Sequence, residues 1–278
     1  MSTKSTDSRQ PPFGTLVPLK SGHELHYREV GTGPAVVFVH GSGPGANAYS
    51  NFSGNCGPIA AAGFRCVLPD LVGFGYSSKP TGIDYSTALF ADTLLELLDT
   101  LKIERCVLVG NSLGGAIALD IALRYPERVE KLILMAPGGI ESRETYFQMP
   151  GIQKMVSGFV GAGFDRAGLR RILEMLSYDP SVVTDELVEE RFNIYQTQPK
   201  DVLARIVIPD VTALLPQIKC PVLGFWGLED QFCPASGAEK ILRAIPDSRF
   251  TLYGHCGHWA MIERRDEFNA NVINFLKR

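Results

Sequence analysis

The sequence predicts an α/β fold, with a mostly parallel sheet flanked by helices and broken by one helical insertion. Three observations lead there. Short apolar runs alternate with helical patterns, as successive βαβ units require. The middle runs are almost continuous in apolar residues, which burial on both faces of a parallel sheet produces. One long interval, from about Gly139 to Val211, interrupts the alternation.

Strands are expected at Leu25–Val30, Ala35–His40, Arg65–Asp70, Cys106–Gly110, Lys131–Ala136, Val222–Gly227 and Arg249–Tyr253. Between them, the stretch Ala88 to Leu101 sets Leu94, Leu97, Leu98 and Leu101 at helical spacing. The run from Leu113 to Tyr125 is apolar on most sides, so it should form a central, buried helix. Glu267 to Leu276 reads as a closing amphipathic helix. The interval 139–211 holds no convincing strand and several helical patterns broken by Pro150, Gly163, Pro180 and Pro199. It is read as a helical lid inserted into a core made of 1–138 and 212–278, with ligand access beneath it.

Composition bounds the function. Hydrophobic residues make up 45% and charged residues 21% of 278, ordinary for a globular protein large enough to bury a substantial core. The net charge of −3 comes without any long Lys/Arg cluster, so neither nucleic acid nor an anionic membrane is an expected partner. No apolar run approaches the ~20 residues of a membrane span. Met1 to Gln10 is polar, lacks the apolar centre of a secretory signal and reads as a loose tail. A cytoplasmic location is expected. The six cysteines include no C-x-x-C pair, and Cys66, Cys106 and Cys220 sit in or beside strand-like runs. All six are read as reduced, with no zinc site.

Chemistry concentrates at Gly110-Asn111-Ser112-Leu113-Gly114. This G-x-S-x-G follows an apolar strand and opens a helix, the setting of a nucleophile elbow. Glycine two residues either side of the serine removes side chains that so sharp a turn would drive together. A serine hydroxyl needs a base, and the base needs a carboxylate to fix its tautomer. With the chain order serine, acid, histidine, only His255 and His258 come late enough. His258, in Cys256-Gly257-His258-Trp259 after the last strand, is preferred, and His255 is read as a loop residue. The acid should follow Val222–Gly227, where Glu229 and Asp230 both stand; Asp230 ends the G-x-x-D turn and is preferred. Asp70 is read as a turn carboxylate. Oxyanion donors are expected from the backbone N–H of Leu113 and from Ser42, in the loop His40-Gly41-Ser42-Gly43-Pro44-Gly45. No G-K-[ST] follows that loop, which disfavours phosphate binding. His40 is expected to organise the loop by hydrogen bonding.

Together, His40-Gly41-Ser42-Gly43-Pro44-Gly45, Gly110-Asn111-Ser112-Leu113-Gly114-Gly115, Gly227-Leu228-Glu229-Asp230 and Cys256-Gly257-His258-Trp259 resemble the α/β-hydrolase superfamily. More narrowly they resemble the meta-cleavage product hydrolases, carbon–carbon bond hydrolases of bacterial aromatic catabolism. The resemblance implies an eight-stranded, mostly parallel sheet with an inserted helical lid. It also implies a substrate-binding set of Asn51, Asn111, Arg191 and Trp259, with Arg191 on the substrate carboxylate. On the residues alone Arg191, among Asp185, Glu186, Glu189 and Glu190, would pair on a helix surface, Asn51 would be a turn residue and Trp259 core. The sequence departs from the family at Leu113, where methionine is common, at Leu176, where an aromatic is common, and at Met261-Ile262, where Gln-Trp often stands.

The resemblance thus implies a serine-dependent hydrolase of 2-hydroxy-6-oxohexa-2,4-dienoate-type ring-fission products, with a small-molecule substrate and neither metal nor organic cofactor. Family members tend to associate, so a homo-oligomer is expected. A carboxylesterase acting on small esters with the same triad is the alternative. A non-catalytic ligand receptor on a hydrolase scaffold is a third reading, against which the intact triad argues. Haloalkane dehalogenase and epoxide hydrolase chemistry would need Asp at position 112.

Overall fold

The computed structural model describes residues 13–161 and 163–278. The tail expected over Met1–Gln10 lies outside the described residues.

Eight strands form one sheet in the order β1-β2-β4-β3-β6-β7-β9-β10. They are β1 (Thr15–Pro18), β2 (Glu24–Val30), β3 (Ala35–Val39), β4 (Arg65–Pro69), β6 (Cys106–Asn111), β7 (Val129–Met135), β9 (Val222–Gly227) and β10 (Ser248–Tyr253). From β4 to β10 all pairings are parallel, whereas β1 and β2 join antiparallel at one edge. A separate parallel pair links β5 (Tyr85–Ser86) to β8 (Ile206–Val207). Thus the inserted interval does contain one short strand, which two residues are too few to announce in sequence. Strand β1 was also absent from the expectations, because four residues at an exposed edge carry almost no apolar pattern.

Alternation along each strand divides the core between two faces. Val37, Val39, Leu108, Leu132 and Leu134 pack beneath α2 (Thr87–Thr100) and α3 (Leu113–Arg124). Val36, Phe38, Val107, Val109 and Ile133 pack beneath α1 (Ala48–Ala61) and α11 (Arg265–Leu276). Both faces are covered, so the middle strands read as unbroken apolar runs. Helix α3 buries Leu113 to Leu119 without interruption, as its composition predicts.

Between β7 and β9 lie α4 (Arg143–Gln148), α5 (Pro150–Val160), α6 (Arg166–Glu174), α7 (Asp185–Thr197) and α8 (Lys200–Ala204). After β9 come α9 (Ser236–Ala244) and, past β10, α10 (Ala260–Glu263). Among the described residues no helix is long and apolar enough to cross a membrane. All six cysteines are free.

Register brings distant segments to one sheet edge. Val39 lies opposite Gly110 and Gly227 opposite Tyr253. The loops that follow β3, β6, β9 and β10 therefore leave the same carboxyl edge, where open α/β sheets bind ligands.

Candidate active site

Ser112 caps α3 with φ 55° and ψ −115°, outside the region most side chains adopt. Its carbonyl accepts from Ala116 N–H and Gly138 N–H, and its own N–H donates to Met135 O, so the strained turn is over-determined by its surroundings. The flanking glycines are a packing necessity. A Cβ at Gly110 would lie 2.5 Å from Gly114 O, and one at Gly114 would lie 1.9 Å from Val39 O. The Leu113 N–H is the first of α3 and has no intrahelical acceptor, which leaves it for a ligand.

The structure joins His258 to Asp230, the residues expected to act as base and acid. His258 Nδ1 is 2.7 Å from Asp230 Oδ2, and both side chains are buried. Asp230 Oδ1 accepts from the N–H groups of Phe232 and Cys233, at 2.7 and 3.0 Å. With both its oxygens engaged, Asp230 is oriented to hold Nδ1–H, which directs Nε2 outward. Trp226 supports this turn by donating its indole N–H to Cys233 O. His255 is exposed and stacks on Tyr178, consistent with a loop residue. Ser112 and His258 line the same cavity; among the described residues no hydrogen bond joins them. The Ser112 hydroxyl stands beside the thiol of Cys233 instead. Burial pushes that thiol far up, Asp230 pushes it further, and Ser112 partly offsets the rise.

The glycine loop after β3 is held from below and from above. His40 Nε2 accepts the Leu71 N–H, so Nδ1 carries the proton it donates to Gly41 O. Burial holds this histidine down at about 4. From above, α7 presses directly on the loop: a Cβ at Gly45 would lie 1.8 Å from Arg191 O. Gln198 accepts from Gly45 N–H and donates to Gly73 O.

Arg191 is 1% exposed. Its Nε donates to Pro44 O, and one terminal nitrogen donates to Ser50 Oγ and Asn51 Oδ1. Each of these acceptors is a neutral oxygen, and burial pulls the guanidinium down to about 10. A Cβ at Gly43 would lie 3.2 Å from the other terminal nitrogen. Asn51 reaches Asn111 Oδ1 at 3.5 Å, and Asn111 in turn donates to Met135 O and reaches His258 O. One chain of polar groups therefore runs from α7 to the histidine loop.

These groups surround a small cavity of about 20 Å³. Ser42, Gly43, Pro44, Ser112 and His258 make its polar wall, and Ile152, Met155, Ile172, Leu176 and Phe232 its apolar wall. Arg191, Asn51 and Asn111 stand behind the polar wall. Trp259 is not on either wall. It is buried in the core cluster that includes Leu173 and Leu176, with its N–H bonded to Leu176 O. Asp70 is a turn carboxylate, as read: burial raises its pKa, but the His26 hydrogen bond and neighbouring groups overcome this and lower it overall. It binds His26 and the N–H groups of Ala48 and Tyr76.

Sequence reasoning missed Glu263. One carboxylate accepts from Gly257 N–H, Tyr178 N–H and Asp179 N–H at 2.7–3.0 Å, tying the loop of His258 to the segment after α6. Its only sequence signal is a carboxylate five residues past the histidine. Gln198 was missed as well, and no local pattern marks it.

The α/β hydrolase fold family matches residues 34–181. A 2-hydroxy-6-oxo-6-phenylhexa-2,4-dienoate hydrolase of Comamonas testosteroni is 37% identical over 263 residues, covering 91% of each chain. A 2-hydroxy-6-oxononadienedioate/2-hydroxy-6-oxononatrienedioate hydrolase of the same species is 37% identical over 265 residues, covering 92% of each. The solved meta-cleavage product hydrolase of Pseudomonas fluorescens IP01 superposes with a TM-score of 0.84 at 29% identity, over 95% of this chain and 97% of that one. The chain belongs to the α/β-hydrolase family. Within that family its likeness is to the meta-cleavage product hydrolases.

Proposed function

We propose that this protein cleaves a carbon–carbon bond in 2-hydroxy-6-oxohexa-2,4-dienoate-type ring-fission products of aromatic catabolism, using Ser112, His258 and Asp230. The observation that carries the substrate class is Arg191. A guanidinium this deeply buried, with neutral oxygens as its partners, is costly until an anion meets it. A planar carboxylate is the anion its fork fits. An enzyme for neutral esters has no use for such a group. The relatives named above support the same class.

In this reading Arg191, Asn51 and Asn111 hold the dienoate head, Trp259 backs the site from the core, and helices over 139–211 act as a lid. The dienol first becomes the keto tautomer, which provides the electron sink. Ser112 Oγ then adds to the distal ketone while its proton passes to His258 Nε2, with Nδ1–H retained on Asp230. Leu113 and Ser42 N–H groups receive the oxyanion; one such donor contributes ~2.7–4 kcal/mol. When the carbonyl re-forms, the carbon–carbon bond breaks and its electron pair moves through the conjugated chain to the 2-oxo oxygen. That oxygen takes the proton from His258, and the enol leaves. Water, deprotonated by His258, clears the acyl-serine as a carboxylic acid.

The test is to mix the protein with a yellow ring-fission dienolate and follow its bleaching. Wild type should bleach it and Ser112→Ala should not. Arg191→Gln should lose about 10–100-fold in kcat/KM, the worth of a hydrogen bond to a charged group, while keeping most of its activity on para-nitrophenyl esters. Brisk ester hydrolysis by a wild type that leaves the dienolate yellow would make the protein a carboxylesterase.

A further inference from the structure

The reaction proposed above has two ends, and the site treats them differently. The carboxylate end falls to Arg191, Asn51 and Asn111, behind the polar wall. Across Ser112, where the substituent on the ketone would lie, the cavity's other described lining residues are Ile152 and Met155 of α5, Ile172 of α6, Leu176 and Phe232. None of these five side chains carries a cation or a hydrogen-bond donor. Ile172, Leu176 and Phe232 are buried, so water cannot follow a charged group in.

We propose that the substituent on the cleaved ketone is a hydrocarbon, alkyl or aryl, and that substrates bearing a second carboxylate there are excluded. This inference rests on the carbon–carbon hydrolase reading and narrows it. Two classes of relative make the question concrete: one is named for a 6-phenyl dienoate, another for a nonadienedioate with a carboxylate at each end. Both are 37% identical to this chain, so overall identity does not choose between them. The wall does. A carboxylate placed against Ile152, Met155 and Phe232 would give up its hydration and gain no partner, whereas a phenyl or alkyl group gains contact. Discrimination of this kind comes from leaving the wrong group unpaired.

The test compares kcat/KM for 2-hydroxy-6-oxo-6-phenylhexa-2,4-dienoate and 2-hydroxy-6-oxononadienedioate. The expected ratio is a hundredfold or more in favour of the phenyl substrate, about 2.7 kcal/mol at 1.36 kcal/mol per factor of ten. Equal turnover, or preference for the diacid, overturns the proposal. A second pair, para-nitrophenyl hexanoate against mono-para-nitrophenyl adipate, presents the same choice to the acyl side without a dienoate head. If neither dienoate is bleached, the carbon–carbon reading falls, and the ester pair still decides the pocket: preference for hexanoate supports it, equal rates overturn it. In Met155→Lys the ratio should fall at least tenfold through a gain on the diacid. A lid merely loosened by the substitution would slow both substrates alike, and an unchanged ratio would remove this wall from the ketone side.

Discussion

His40 and Arg191 are buried bases whose pKa burial lowers alike, with opposite outcomes for their charge. Arg191 keeps its charge and has no anion among its hydrogen-bond partners. His40 is kept neutral, because its Nε2 must accept the Leu71 N–H and burial holds it near 4. In the unfolded chain a histidine titrates near 6.5. Between those values the unfolded state binds the additional proton, so stability rises with pH and is lost as pH falls from about 6.5 towards 4. Asp70, whose folded pKa is lowered, adds a loss in the same direction at still lower pH. The His40 contribution amounts to roughly 3 kcal/mol over the full interval. Urea unfolding at pH 7 and pH 4.5 should show it, and His40→Gln should flatten the difference. Equal pH slopes in wild type and variant would contradict it. Arg191 also shows what sequence could not settle. Its acidic neighbours suggested surface pairing, yet Asp185 pairs with Arg170, Glu189 with Arg166, and Glu190 bonds Asn47. The side chain turns inward because its position on α7 faces the glycine loop, a fact no local spacing encodes.

At the scale of elements, what could be read was what is made locally. The strand, the glycine-flanked serine and the following helix are contiguous, and their constraints are steric, so ten residues suffice to announce them. The acid and histidine were legible because each follows its own strand, in an order the sheet imposes. Contacts between segments far apart were illegible, and Glu263 is the clearest. It stands on short α10 and joins the loop of His258 to residues 178–179, more than eighty positions earlier. A carboxylate accepting three backbone N–H groups makes charge-assisted bonds that an amide cannot all replace. Glu263→Gln should therefore lower kcat about tenfold with little change in KM, and cost about 2 kcal/mol in unfolding. Parallel measurement of kcat, KM and denaturation midpoint checks both. A variant with unimpaired kcat would show that the clamp serves stability alone.

At the scale of the whole molecule, the proposed reaction requires the site to open. Segments spread from Ser42 to His258, together with α5 and α6, enclose a cavity of about 20 Å³, enough for about one water. A phenyl dienoate is many times larger. The proposed substrate is therefore expected to enter as α5 and α6 draw away from Phe232 and His258, and to be enclosed when they return. The inserted helices are the part expected to move. Their polar ties to the core include the contacts of Glu263, Gln198 and Arg191 and the bond from Gly151 N–H to Gln231 O, while Leu169, Leu173, Leu176 and Val188 pack into the apolar core. The sheet beneath is locked on both faces by its own helices. Binding gated by such a step saturates in rate once encounter outpaces opening. Rapid mixing of Ser112→Ala with dienolate should give observed binding rates that level off with substrate concentration. Met155→Ala, which thins the contact of α5 with the cavity, should raise the plateau. Rates that climb linearly to the diffusional range would mean that the substrate enters a site already open.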